Sequence, residues 1–126
     1  MSALKEKACT LLSATTVSFG SDAETTIYTV PTGKRCILSH AIVVAGADAG
    51  GTTTLSIGQN GAETDFVPAH TLSNLDAQYD AAIMRPIYNT TPVILKSYAA
   101  GTLIQATVAS QSGGATNTVY LYGTLY

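Results

Sequence analysis

The chain has 126 residues, a net charge of −2 and a pI near 5.4, with 46% hydrophobic and only 11% charged residues. The length fits one domain. The charged fraction is less than half of the roughly 25% usual in soluble domains, so the polar surface is built from hydroxyls, amides and glycines, nineteen Thr among them. The basic residues Lys5, Lys7, Lys34, Arg35, Arg85 and Lys96 are scattered and form no stripe, which argues against nucleic-acid binding. No apolar run reaches the roughly 18 residues of a membrane-spanning helix, so no membrane partner is expected. Met1–Lys7 lacks the apolar centre of a signal peptide, so the chain is expected to be made and folded in a cytoplasm.

Residues 1–9 read as a short N-terminal arm, either flexible or a single helical turn, ahead of one β domain over 10–126. Leu11–Phe19 and Thr25–Val30 are strand-like and end at Gly20-Ser-Asp and Pro31-Thr-Gly-Lys; the Pro suits the second turn position and the Gly a positive φ. Arg35–Ala45 is the strongest strand. Its two faces, Ile37, Ser39, Ala41, Val43 and Cys36, Leu38, His40, Ile42, Val44, are both largely apolar, so burial is expected on both sides. Thr52–Ile57 alternates, with Thr53, Leu55 and Ile57 inward, and leads to the hairpin signal Asn60-Gly61. Residues 62–80 are irregular, a short helix capped by Ser73 or Asn74 or a long ordered loop. Strands resume at Ala82–Ile87, Val93–Tyr98, Leu103–Ser110 and Thr118–Leu125. Tyr28 and Tyr98 each precede a Gly turn and an apolar strand, a weak internal echo. About eight short strands with regular turn signals predict an all-β antiparallel sandwich, of jelly-roll type.

Catalytic groups are sparse. There is no Gly-x-Ser-x-Gly elbow, and His40 and His70 are the only histidines. His40 lies within the strongest strand and reads as a core or interface histidine. Glu63, Asp65, His70, Asp76 and Asp80 lack the spacing of an EF-hand or zinc site and read as solvated loop charges; calcium at a subunit contact is the alternative. Gly46–Gly51 lacks the Lys-Ser/Thr of a phosphate-binding loop. Cys9 and Cys36 read as buried free thiols. Asn89-Thr-Thr spells a glycosylation sequon without a secretory context. No catalytic residue, metal or cofactor is assigned, and the chain reads as a non-enzyme.

The aromatic residues say more. Tyr120, Tyr122 and Tyr126 share one face of the last strand and Val119, Leu121 and Leu125 the other. One face is core; the Tyr face is then a protein contact surface, a layer packed under a loop of the same chain, or a sugar site. The favoured contact residues are Lys5 and Lys7 in the arm together with these three Tyr.

The segment Thr26-Ile-Tyr-Thr-Val-Pro-Thr-Gly-Lys-Arg-Cys-Ile-Leu-Ser-His-Ala-Ile-Val-Val44, then Gly51-Thr-Thr-Thr-Leu-Ser-Ile-Gly58, resembles small virion proteins of tailed bacteriophages. Tyr98-Ala-Ala-Gly-Thr-Leu-Ile-Gln-Ala-Thr-Val-Ala109 also looks like the Gly-turn strand of that group. The resemblance covers about residues 26–58 and 92–126. It implies a β-sandwich, often a jelly roll, that decorates the head shell or forms part of the tail, with decoration proteins commonly trimeric and cementing the major capsid protein. The compact chain without a fibre shaft favours the head surface of the virion. A receptor- or glycan-binding module of a tail or fibre, with a groove near Asp65–Asp80, is the alternative. A small enzyme would need His70 beside Glu63, Asp65 or Asp76 in a deep pocket.

Overall fold

The computed structural model describes residues 9–86, 95–112 and 114–126, which form nine strands and no helix. In chain order these are β1 (Thr10–Ser18), β2 (Ala23–Thr29), β3 (Cys36–Val44), β4 (Thr54–Gln59), β5 (Ala62–Thr71), β6 (Ala81–Met84), β7 (Ser97–Tyr98), β8 (Leu103–Ala109) and β9 (Thr116–Leu125). Thr, Val and Ile recur through them because branching at Cβ suits a pleated strand better than a helix.

The strands form two antiparallel sheets, one ordered β1-β9-β3-β6 with β7 also beside β3, the other β2-β8-β4-β5. The pairing is nested: β1 with β9, β2 with β8, β3 with β6 and β7, and β4 with β5. Folding this nest over sends successive pairs to opposite sheets, and β3–β9 and β4–β8 ladders then join the pairs within each sheet. The expected β-sandwich is what the chain forms. Val17, Leu38, Val43, Val119 and Leu121 from one sheet meet Ile27, Leu55, Ile57, Ile104 and Val108 from the other in a continuous buried core.

The turns follow their local chemistry. Asn60-Gly61 closes the β4–β5 hairpin, with Gly61 at φ 88°. In the Pro31 turn Lys34 N donates to Pro31 O, so Pro31 is the first turn residue rather than the second, and Gly33 takes φ 78° at the third. Ala99–Thr102 repeats this turn with Gly101 at φ 82°. The two turns dock on each other: Val30 N donates to Thr102 O and Gly101 N to Val30 O. The internal echo is thus a pair of matched turns at one end of the sandwich.

Residues 62–71 form β5, and the turn after it holds no helix; β5 is an edge strand whose solvent-facing residues are polar, which hid its period. In β3 the register slips between Leu38 and His40. Before this bulge Cys36 and Leu38 point inward, and after it Ala41 and Val43 do. Leu38 and His40 therefore do not share a face, because the extra residue reverses the alternation. Met1–Ala8, Ile87, Asn89–Thr91 and the start of the strand expected at 93–98 lie outside the described residues.

Both cysteines are free, but only Cys36 is buried and Cys9 is exposed. Burial pushes the Cys36 thiol up to about 11. The folded form therefore holds this proton more tightly than the unfolded chain. The stability is intact below about pH 9 and is lost as pH rises toward about 11, by about 2–3 kcal/mol in all. Urea melts at pH 8 and pH 10 should show a loss of about 1 kcal/mol in the wild type that Cys36→Ala does not share.

Candidate interaction surface

The burial of β9 decides the tyrosines. Asn117, Val119, Leu121 and Gly123 are buried, while Thr118, Tyr120, Tyr122 and Thr124 alternate with them and are half-exposed. The Tyr face is therefore the outer face of the β1-β9-β3-β6 sheet. Strand register lays this face out in rows. Ala14, Tyr120, Ile42 and Ile83 lie across from one another, and so do Leu11, Tyr122 and His40. A third row holds Thr16, Thr118, Val44 and Ala81. These rows contain no Lys, Arg, Asp or Glu.

The Leu11–Tyr122–His40 row owes its geometry to two bulges. β1 slips between Leu11 and Ser13 and β3 between Leu38 and His40, on either side of β9 at the same level. Bulges bend a sheet and re-aim side chains. Here His40 lands flat on Tyr122, with ring centroids 4.7 Å apart and planes 10° from parallel. Ser39 Oγ lies 3.0 Å from His40 Nδ1 and fixes the ring. No carboxylate bonds His40 among the described residues, so this Ser–His contact lacks the third group of a nucleophilic triad.

Tyr126 stands apart from Tyr120 and Tyr122. Its hydroxyl lies 2.7 Å from Ser97 Oγ, which accepts a bond from Arg35 Nε at 3.2 Å. A cation and two hydroxyls thus mark the end of the uncharged face. Lys5 and Lys7, the other expected contacts, lie outside the described residues.

The opposite outer face has another character. Across β2, β8 and β4 it carries Glu24, Thr107 and Ser56 in one row and Thr26, Gln105 and Gly58 in the next; Glu24 and Thr26 are exposed, and Ser56 and Gly58 are buried. The Tyr face is half-exposed along β9, whereas this face is open at β2 and buried along the middle of β4, and Thr107 Oγ1 and Gln105 Oε1 of β8 are also out of water.

The acidic group around 63–80 does not converge. Among the described residues no three of His, Cys, Asp and Glu come together in a metal-ligand cluster. Asp65 is not a solvated loop charge. It accepts from Tyr98 Oη (3.0 Å), Gln59 N (3.1 Å) and Gln59 Nε2 (2.7 Å), and Lys96 Nζ approaches at 3.5 Å. This carboxylate ties the β4–β5 hairpin to β7 in the other sheet. Burial, with the Asp65 carboxylate beside it, pushes the Tyr98 phenol well above its usual range. Asp80 Oδ2 accepts from Ala77 N and Glu63 Oε1 from Gly61 N, both turn contacts. His70 is exposed on β5 and lines an open groove of about 410 Å³ with Leu72, Asn74, Met84 and Arg85. Among the described residues that line it there is neither an acid to pair with His70 nor a Tyr or Phe on which a sugar would stack.

No family model matches the chain, and no curated protein matches it. Two solved structures share its fold. One is a chain of the acid-stable capsid of Helicobacter pylori bacteriophage KHP30, with a TM-score of 0.63 and 9% identity over 96% of this chain and 93% of that one. The other belongs to the capsid asymmetric unit of cyanophage Pam1, with a TM-score of 0.55 and 17% identity over 89% of this chain and 82% of that one. At these identities the likeness is one of fold. Each alignment spans most of both chains, so the neighbours are small sandwiches of similar length.

Proposed function

We propose that the chain is a structural protein of a tailed-bacteriophage virion that binds the outside of the head shell as a decoration, or cement, protein. The observation that carries this is the end-to-end fold match to similarly short chains from two phage capsids. The nested pairing, with successive pairs sent to opposite sheets, supports a jelly-roll reading of the sandwich, an architecture recurrent in capsid domains. The uncharged outer face supplies the contact. Strands of nine, ten, nine and four residues about 4.8 Å apart give it roughly 500 Å² in projection, below but of the order of the ~800 Å² that each partner of a stable complex contributes. Tyr120 and Tyr122 give large, stiff contact area at that surface, and few charges need be stripped of water there. Lys5 and Lys7 of the arm and Tyr126 complete the proposed contacts, the major capsid protein is the proposed partner, and a trimer is the favoured assembly. Many such modest contacts, linked through one shell, sum to a large resistance to internal pressure. The role is mechanical, and none of the groups above is assigned a reaction.

Heating tests it. Particles stripped of the chain should release their contents at a lower temperature than intact ones, and re-added wild type should restore the difference. Tyr122→Asp, which alters only the outer face, should fold but restore nothing; deletion of residues 1–9 should restore in part. Stripped and intact particles that fail at the same temperature would overturn the cement reading.

A further inference from the structure

A sandwich has four edge strands, each a row of unpaired backbone groups that invites another chain. Three are guarded here. β1 lies against β2, with Thr15 Oγ1 donating to Ile27 O across the seam, and both strands carry bulges. β5 holds Pro68 and two register shifts. β6 has none of these. Ala81–Met84 runs in unbroken register along β3, with no charge, proline or bulge, and the open groove separates it from β5.

The ladder shows which groups of β6 are free. Ala45 N donates to Asp80 O at 2.8 Å. Hydrogen-bonded pairs alternate in an antiparallel ladder, so Val43/Ala82 and Ala41/Met84 are bonded pairs. The N–H and C=O of Ala81 and Ile83 therefore point away from β3. No bond to them is found among the described residues. The Ile83 side chain is 58% exposed, at the end of the Tyr120–Ile42–Ile83 row.

We propose that β6 pairs antiparallel with β6 of a second copy of this chain, about a two-fold axis, with Ala81 of each opposite Ile83 of the other. In that register all the outward groups are used in two reciprocal pairs, four backbone hydrogen bonds in all. The same register carries Arg85 to the Tyr79–Asp80 turn of the second copy, twice by symmetry. Arg85 is exposed and has no ion pair among the described residues. Tyr79 is 78% exposed and held at φ 74°, a backbone state that bulky residues avoid. The bonds from Tyr79 N to Ala45 O and from Asp80 N to Ala77 O keep it there. The turn thus offers an exposed ring and a carboxylate on a fixed backbone to an incoming guanidinium. This self-matching of register and charge is why the occupant is a second copy. The contact does not depend on the virion reading.

The test is the mass of the purified chain by sedimentation across a micromolar-to-millimolar series, with amide exchange of the wild type in parallel. The mass should double with rising concentration while the Ala81 and Ile83 amides become protected. Ile83→Pro removes an outward N–H but no bond to β3, so it should melt as the wild type does and associate at least about tenfold more weakly. Arg85→Glu should weaken association by about tenfold as well. A constant mass, or doubling with the Ala81 and Ile83 amides still exchanging freely, would sink the proposal. So would equal association of the Ile83→Pro chain.

Discussion

Replacing Asp65 by Ala should lower the stability of the fold by about 3 kcal/mol and its melting temperature by roughly 10 °C. The side chain is only 15% exposed and accepts three hydrogen bonds. Truncation leaves the Tyr98 hydroxyl and the Gln59 amide without their acceptor; Tyr98 is itself almost wholly buried. A buried donor stranded in this way costs about 1–3 kcal/mol. The Lys96 contact adds little, because Lys96 is half exposed and ion pairs at such positions are worth about 0–1 kcal/mol. Lys96→Ala should therefore move the urea midpoint far less than Asp65→Ala or Tyr98→Phe. Equal losses from Lys96→Ala and Asp65→Ala would show that the ion pair, and not the hydrogen-bonded carboxylate, holds the two sheets at this point.

Gly123→Val should be at least as damaging, with a loss of about 3–5 kcal/mol or failure to fold. A Cβ at Gly123 would lie 2.5 Å from Ile37 O, 2.9 Å from Leu12 Cδ1 and 3.3 Å from Leu38 Cα. The backbone neighbours cannot move aside, because β9 is bonded on both flanks, to β1 and to β3. The glycine is what lets both strands bulge at this level, and so it underlies the stacking of His40 on Tyr122. Gly114→Ala is the control, since nothing lies within 4 Å of its added carbon. Similar urea midpoints for Gly123→Val and Gly114→Ala would show that the sheet yields more easily than this packing implies.

Most of the fold was legible in the sequence because strand period and turn chemistry are local. Asn60-Gly61, Gly33 and Gly101 mark turns by the φ they require, and Thr53, Leu55 and Ile57 alternate inward as read. The bulges were not legible. One extra residue has no compositional mark, yet it reverses every side chain beyond it, so the two apolar faces of 35–45 could not be assigned. β5 was missed because it is an edge strand carrying Asp65, Pro68 and His70 on a partly solvated path. The Tyr face was visible as a face, but its outward direction rests on the burial of Val119 and Leu121 against the second sheet. Ile42, Ile83 and Leu11 joined it only through cross-strand register, which links positions far apart in the chain. The role of Asp65 was hidden for the same reason, since Tyr98 is 33 residues away.

The nested pairing has a consequence for how the chain is made. β9 lies between β1 and β3, so among the described strands Thr10–Ser18 pairs with one that is synthesised after the other eight. Until Thr116–Leu125 is available, one sheet has a missing centre and the core beneath it is open to water. Folding must wait for synthesis to pass this point, and closing so long a loop places the chain among slowly folding topologies. During that interval the apolar strand 36–44 is exposed without its β9 neighbour, and crowded sister chains are then its nearest competitors for pairing.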